Sequence, residues 1–417
     1  MKTLIHSTFL IALLFLFFAS CSQNKGSKKS VEVNSRSNQT SSSGNNNAPN
    51  SVDASSDAPI VSNIEKETVN VVKSGTKNEL PKNWPWRGIN FQSENSDASD
   101  VAYLASIGVD FLRIQMKPAI RSRRKKLDPT KCFYDELYWA DSILTECKKY
   151  GMTSVIAFNH LVLDPKINIT EKSQEFWDER KYIDSTLNMI TIIANKFKTR
   201  GDELSAYEVM GEPVIRKGQQ ENGKTPPQLE KFFKDVLQTI RKVDSERWFL
   251  LTPGPWGKPT NFNGFAGFNI KDNRIIYNAH MYLPDQFTHQ GIHNRPRGVQ
   301  YPGKIKGEFW DRKMLEEKLS QLKKFQVKQN CLVYMGEFQA TRWSKGADIW
   351  VKDVIELMDA YQWSWSLFAF EAGTVCWDPY YDVVNKNIPI ADWEIQYVGP
   401  TTPHWKYMLT EYAKNKK

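Results

Sequence analysis

Between residues 87 and 370 the chain switches repeatedly between short apolar runs and longer stretches with helical spacing, completing eight such cycles. Arg87-Gly88-Ile89-Asn90-Phe91, Phe111-Leu112-Arg113-Ile114 and Ser154-Val155-Ile156-Ala157-Phe158 read as the first three strands. A fourth ends at Gly211, and residues 248–252, 275–279, 332–335 and 364–370 supply the others. Helical periodicity fills residues 97–107, 135–150, 180–198, 228–243, 312–328 and 347–361, with Asp97 placed to cap the first of these. Residues 253–269 contain seven Gly or Pro and no clear helix. Eight strand–helix repeats over this length imply an α/β fold, a (β/α)8 TIM barrel.

Two of the strand-like runs end in a carboxylate. One is Tyr207-Glu208-Val209-Met210-Gly211-Glu212-Pro213, the other Leu332-Val333-Tyr334-Met335-Gly336-Glu337-Phe338. A residue at the C-terminal end of a barrel strand faces the mouth where such barrels do their chemistry. Two carboxylates facing one cleft are what glycoside hydrolysis requires, one as acid/base and the other as nucleophile or second base. Carboxylates in apolar strands are costly to bury unless they have a role or a partner.

The barrel does not account for the whole chain. Residues 22–83 hold no Phe, Trp or Tyr, whereas all 14 Trp fall between Trp84 and Trp405. A Ser- and Asn-rich stretch without aromatics cannot bury enough apolar surface to offset its ordering entropy, so residues 21–83 read as a disordered tether before a barrel at 84–417. Residues 1–20 read as an export signal: Lys2, then an apolar run over residues 10–18 too short to span a bilayer. Phe18-Ala19-Ser20-Cys21 resembles a bacterial lipobox, which implies cleavage before Cys21, lipid on its thiol and a membrane anchor in the cell envelope. The following Ser22-Gln23-Asn24-Lys25 lacks acidic residues of the kind that resemble a surface-export signal, so the periplasmic side, at the outer membrane, is expected.

Composition excludes some classes. The remaining cysteines, Cys132, Cys147, Cys331 and Cys376, form no CxxC pair and accompany no His cluster, so neither a zinc site nor any other metal or cofactor is expected. Cys132 and Cys147 are the only sequence-local pair for a disulfide, with a buried free thiol at Cys147 as the alternative. The formal net charge of +9 is scattered among acidic residues without a base-stacking motif, so nucleic acid is not an expected partner.

The strand ends resemble, in order and over nearly all of residues 84–417, those of the glycoside hydrolase family 5 cellulases. Arg113 in Leu-Arg-Ile matches the arginine that orients the nucleophile in that family, and His160 in Phe-Asn-His matches its third-strand histidine, with Phe158 where an Asp is usual. Glu212 in Gly-Glu-Pro matches the acid/base, His280 and Tyr282 in His-Met-Tyr the sixth-strand pair, and Glu337 in Met-Gly-Glu-Phe the nucleophile. The loop Phe287-Thr288-His289-Gln290-Gly291, followed by Tyr301-Pro302-Gly303, also resembles a branch of the family. One position departs. The family writes Asn-Glu-Pro, its Asn bonding the sugar 2-hydroxyl, and this chain has Gly211, which has no side chain for that contact. Asn159 or Asn278 could reach in instead, the substrate could differ at that hydroxyl, or catalysis could be weak.

The resemblance implies a retaining hydrolase of neutral β-glycans, β-1,4-glucan or a related hemicellulose, acting as a monomer by double displacement. Glu212 would then need a raised pKa and Glu337 an ionised carboxylate steadied by Arg113 and Tyr282. Substrate-side candidates are Trp365, Asn159, Gly211, His289 and Trp343, although Trp363 and Trp365 near one strand can equally serve packing. Two alternatives stay open: a catalytically weak glycan-binding lipoprotein on the same barrel, and a transglycosylase.

Overall fold

The computed structural model describes residues 80–93, 96–159, 173–215, 227–292, 294–370, 376–377, 381–383, 395–397 and 402–416. His160, Cys21, the signal segment and nearly all of the tether lie outside these residues.

Eight strands close into a parallel barrel. They are β1 (Arg87–Gln92), β2 (Phe111–Met116), β3 (Thr153–Phe158), β4 (Ala206–Val209), β5 (Trp248–Leu251), β6 (Ile275–Met281), β9 (Leu332–Phe338) and β10 (Ser364–Phe370). Two short strands, β7 (Gly303–Ile305) and β8 (Glu308–Trp310), form an antiparallel hairpin inserted after β6. A second hairpin joins β11 (Tyr381–Val383) to β12 (Ile395–Tyr397).

The outer helices are α1 (Ala98–Ile107), α2 (Pro118–Lys125), α3 (Pro129–Lys149), α5 (Arg180–Phe197), α6 (Pro227–Arg241), α8 (Arg312–Gln329), α9 (Ala347–Ala360) and α10 (Pro403–Ala413), with the short α4 (Gln174–Asp178) and α7 (Asp285–Thr288) in connecting segments. Asp97 caps α1 as expected, in a reciprocal capping box with Asp100. The helix expected at residues 135–150 begins earlier, because Asp128 bonds the Lys131 amide and Pro129 fits the first turn. The segment after β5 contains one short 3-10 turn, Pro259–Phe262. Among the elements the sequence pattern did not suggest are α2, α10 and both hairpins.

Strand periodicity sorts side chains into two cores. Ile89, Leu112, Ile156, Phe249, Val333 and Leu367 face outward and pack under the helices. Trp86, Phe111, Val155, Leu250, Ile276 and Tyr334 point inward and fill the N-terminal half of the barrel. Trp86 and Phe111 stack at 4.4 Å there. This apolar floor closes the barrel, leaving only the C-terminal half free for polar side chains.

Candidate active site

Above the floor the inward positions turn polar. Register pairs Asn90 of β1 with Arg113 of β2, and His280 of β6 with Glu337 of β9. The second pairing depends on an irregularity: Ala279 pairs with Met335 but His280 with Glu337, so Gly336 is an extra residue in the ladder. Its peptide group, removed from regular pairing and buried, is satisfied by side chains. Its N–H donates to Asn278 Oδ1 at 3.0 Å, and its carbonyl accepts from Asn90 Nδ2 at 2.9 Å and Ser366 Oγ at 2.7 Å. A Cβ at 336 would meet Asn278 Oδ1 at 2.6 Å, so the bulge requires glycine.

Arg113 is wholly buried and holds two carboxylates at once. Its Nε and Nη2 donate to the two oxygens of Glu208 at 2.7 and 2.6 Å, and its Nη1 donates to Glu337 Oε1 at 2.6 Å and Asn90 Oδ1 at 2.7 Å. Arg113 thus pairs with Glu208 and with Glu337 at the same time. A charge this deep persists only when paired and fully hydrogen-bonded. Burial works against the guanidinium charge, but Glu208 and Glu337 outweigh it and hold the pKa well above normal.

Glu337 is gripped from both sides. Oε1 also accepts from Gln115 Nε2 at 3.2 Å, and Oε2 accepts from the Tyr282 hydroxyl at 3.1 Å. Burial pushes this carboxyl's pKa up, yet His280 and Arg113 overcome that and leave it below the usual value. Tyr282 moves the other way, pushed well above its normal range by burial and by the charges of Glu337 and Glu212. The site therefore keeps a carboxylate ionised beside a phenol that stays protonated.

Glu212 follows β4 and meets His280 Nδ1 at 3.0 Å. Donor atoms of Glu212, His280 and Glu337 all lie within 4.8 Å of one another. Donor atoms this close could serve direct attack by one carboxylate, whereas an interposed water needs roughly 6.5–9.5 Å between the two carboxyl groups. Three such donors could also grip a divalent cation, which would occupy the space between the two carboxylates.

The chain reaches Glu212 through a strained backbone. Met210 has φ 66°, a left-handed conformation unusual for a side chain of its size, and turns outward into the core under the helices. Gly211 then faces the site with its N–H on Asn159 Oδ1 at 2.8 Å. A Cβ here would sit 2.3 Å from Glu208 Oε1 and 2.7 Å from Arg113 Nη2. The bidentate ion pair thus occupies the volume a side chain at 211 would need. This is a physical reason for glycine where the resemblance leads one to expect asparagine.

Other candidates divide. His289 stands edge-on to Tyr282 and to Trp377, each at 5.0 Å, and Trp377 packs against Phe368 at 5.9 Å. These rings build an aromatic wall beside Glu337. Trp343 packs behind that wall, its Nε1 donating to Gln290 O at 2.8 Å and its ring covered by the Arg297 guanidinium at 4.4 Å.

Trp365 is a correction. It has 0% exposure and faces outward against Phe338 and Tyr412, so it cannot meet a sugar. Phe158, too, faces outward, onto Phe133 of α3, and takes no part in the site. Asn278 is buried and committed, its Nδ2 donating to Thr252 Oγ1 at 3.0 Å and its Oδ1 accepting from Gly336. The four cysteines are free thiols, so no disulfide joins Cys132 to Cys147, and burial pushes the Cys147 thiol far up.

Sequence reasoning passed over Asn90, Gln115, Phe368 and Trp377. Asn90 and Gln115 carried a signal, since each is a polar residue at an inward parity between apolar neighbours in its strand. Trp256 was missed as well. It is 42% exposed, and its backbone N–H donates to Pro213 O at 3.2 Å, which ties this residue to the segment carrying Glu212.

The family described as Cellulase (glycosyl hydrolase family 5) matches residues 71–373. Endoglucanase C of Acetivibrio thermocellus is 24% identical over 321 residues, covering 67% of this chain and 88% of its own. Thermotoga maritima Cel5A in complex with mannotriose superposes with a TM-score of 0.54 at 20% identity, over 71% of this chain and 92% of that one. The same enzyme with cellobiose gives a TM-score of 0.56 at 20% identity, over 79% and 97%.

Proposed function

From the premise that the chain belongs to glycosyl hydrolase family 5, and is a glycosidase, we propose that it is a retaining enzyme cleaving β-1,4-glucan or a related hemicellulose. One observation carries the mechanism: Glu337, held ionised by Arg113, lies within reach of the same bond as Glu212. Endoglucanase C supports the glucan, and the mannotriose and cellobiose complexes support a substrate range extending to related β-glycans.

In the first step Glu337 attacks the anomeric carbon as Glu212 gives its proton to the departing glycosidic oxygen, so a glycosyl–Glu337 ester forms and the C–O bond breaks. Oε1 is fixed by both Arg113 and Gln115, which leaves Oε2, with the Tyr282 hydroxyl as its hydrogen-bond donor, as the attacking atom. In the second step Glu212, now a carboxylate, takes a proton from water as that water attacks the same carbon and releases Glu337. His280, against both carboxylates, steadies the negative charge that passes between them. The aromatic wall of Phe368, Trp377 and His289 offers faces to the C–H groups of the sugar ring.

Glu337→Gln tests this reading. Turnover should fall on the order of 10⁴–10⁶-fold, as for other removed nucleophiles, with the fold and glycan binding kept. A 2-fluoro glycoside should label the wild-type peptide that contains Glu337. Labelling of another peptide, or an active variant, would remove Glu337 from the role.

The reading extends to location. Phe18-Ala19-Ser20-Cys21 and the aromatic-free stretch behind it support a lipid-anchored enzyme of the bacterial cell envelope, tethered on the periplasmic side. Cys21→Ser should release active enzyme from membranes, and a variant that stays membrane-bound contradicts the anchor.

A further inference from the structure

We propose that Asn159 is the residue that binds the 2-hydroxyl of the sugar undergoing attack, supplying from β3 the contact that position 211 has no room to make. The proposal rests on the retaining-glycosidase reading.

Strand parity brings Asn159 to the site. Val155 lies in the barrel floor, and Ala157 and Asn159 follow it inward at the two-residue period of β3. Strand β3 lies between β2, which carries Arg113, and β4, which leads to Glu212. Asn159 is therefore flanked by the residue that holds the nucleophile and by the chain leading to the acid. The hydrogen bond from Gly211 N–H to Asn159 Oδ1 at 2.8 Å makes this contact direct.

That bond also fixes the orientation of the amide. Its partner is a backbone N–H, which can only donate, so the atom facing Gly211 must be the oxygen and the amide cannot be flipped. Nδ2, with two donor hydrogens, is the end left over. It bonds no other described residue, and the side chain is only half-buried.

Three other amides around the carboxylates are already spoken for. Asn90 bonds Arg113, Gly336 and Leu367; Gln115 bonds Asn90 and Glu337; Asn278 bonds Thr252 and Gly336. Asn159 alone among these four offers donors to a ligand. Its neighbourhood suits the hydroxyl on the carbon next to the reacting one, because Gly211 directly precedes Glu212. The position a Cβ at 211 would take lies 3.3 Å from His280 Cε1, so Gly211 is in the same layer as that histidine. Charge develops on the ring as the glycosidic bond breaks, and a hydrogen bond to the 2-hydroxyl strengthens then, so a fixed donor there acts chiefly on kcat.

The experiment compares wild type, Asn159→Ala and Asn159→Asp on 2,4-dinitrophenyl β-cellobioside and on the analogue lacking the 2-hydroxyl of the glucose that carries the aglycone. Asn159→Asp keeps an oxygen for the Gly211 N–H and loses the donor, so it separates tethering from sugar contact. It also carries the test if Asn159→Ala does not fold. Both variants should lose about 10–100-fold on the parent, mostly in kcat, which is the range of one such hydrogen bond. On the 2-deoxy analogue the loss should be under about threefold. Equal losses on the two substrates would make Asn159 a purely structural tether, and no loss on the parent would deny the contact; either overturns the assignment. Wild type that turns over neither substrate overturns the glycosidase reading and this assignment together, whereas unselective losses in an active enzyme overturn this assignment alone.

Discussion

The two halves of the barrel interior come from the same strands and obey opposite rules. In the floor, Trp86, Phe111 and Tyr334 touch by their rings, and what matters is volume and shape. At the mouth, Arg113, Glu208, Glu337, Asn90 and Asn278 form a hydrogen-bonded lattice in which removing one member leaves another buried and unpaired. A dispersive core degrades gradually when a side chain changes. A charged lattice at low dielectric fails by the full desolvation of the group left behind. The lattice is nonetheless what keeps Glu337 ionised in a buried place, so stability and the proposed chemistry draw on the same residues.

The contrast is broken most directly at its most connected residue. Arg113→Met keeps the volume but strands Glu208 and Glu337 together, and should cost about 3–5 kcal/mol of stability along with activity. Denaturant unfolding measures this, and a loss under about 1 kcal/mol would mean that the lattice is not cooperative.

Next comes a pH test of the structure supporting the mouth. Glu136 of α3 is fully buried and accepts from the Lys117 amide and, at 3.0 Å, from Ser93 Oγ, tying down the segments that follow β2 and β1. Burial raises its pKa from 4.5 to about 7 despite both hydrogen bonds. The folded state thus retains a proton that the unfolded chain has released. The stability that Glu136 contributes should be fullest below pH 4.5, fall as pH rises toward 7, and level off above that. This group's share of the fall is of the order of 3 kcal/mol at most. Glu136→Gln should flatten that part of the profile, and parallel stability curves for variant and wild type between pH 5 and pH 8, a window chosen to span about the folded pKa, would contradict it.

Gly211→Asn sharpens the comparison from within the lattice. The new Cβ would press on Glu208 Oε1 and Arg113 Nη2. Both activity and stability should fall, the latter by about 1–3 kcal/mol, as for other overpacked sites. A gain in rate on plain β-glucan would show that the ion pair yields and that the position tolerates a side chain.

The smallest effect belongs to the floor. Phe111→Leu removes a ring stacked on Trp86 and should cost about 1–2 kcal/mol, while kcat per folded molecule changes less than about twofold. A large loss of kcat without a matching loss of stability would mean that the floor transmits shape to the mouth and that the two halves are not independent.

Much of this division was legible beforehand. Short apolar runs between helical segments located the eight strands, and the carboxylates of Glu212 and Glu337 stood out at their ends because charge in an apolar run is costly. Parity could have gone further. Ser364 and Ser366 alternate with Trp365, so once the small polar residues are placed inward the indole must face the helices, as the structure finds. Reading tryptophan as a platform by its chemistry alone ignored that constraint.

What the amino-acid order determined by itself was local: which segments extend, which coil, where Asp97 and Asp128 begin helices, and which side of a strand each residue takes. Only the tertiary structure decided how those segments meet. The extra residue at Gly336 brings Glu337 alongside His280, Arg113 spans two carboxylates contributed by β4 and β9, and the Arg113–Glu208 pair fills the space at Gly211 so that Asn159 stands open beside it. The physical reason is range. Backbone propensity and periodicity act between neighbours in sequence, whereas register, close approach and the satisfaction of buried charge depend on groups from 52 to 224 residues apart, which become neighbours only when the barrel closes.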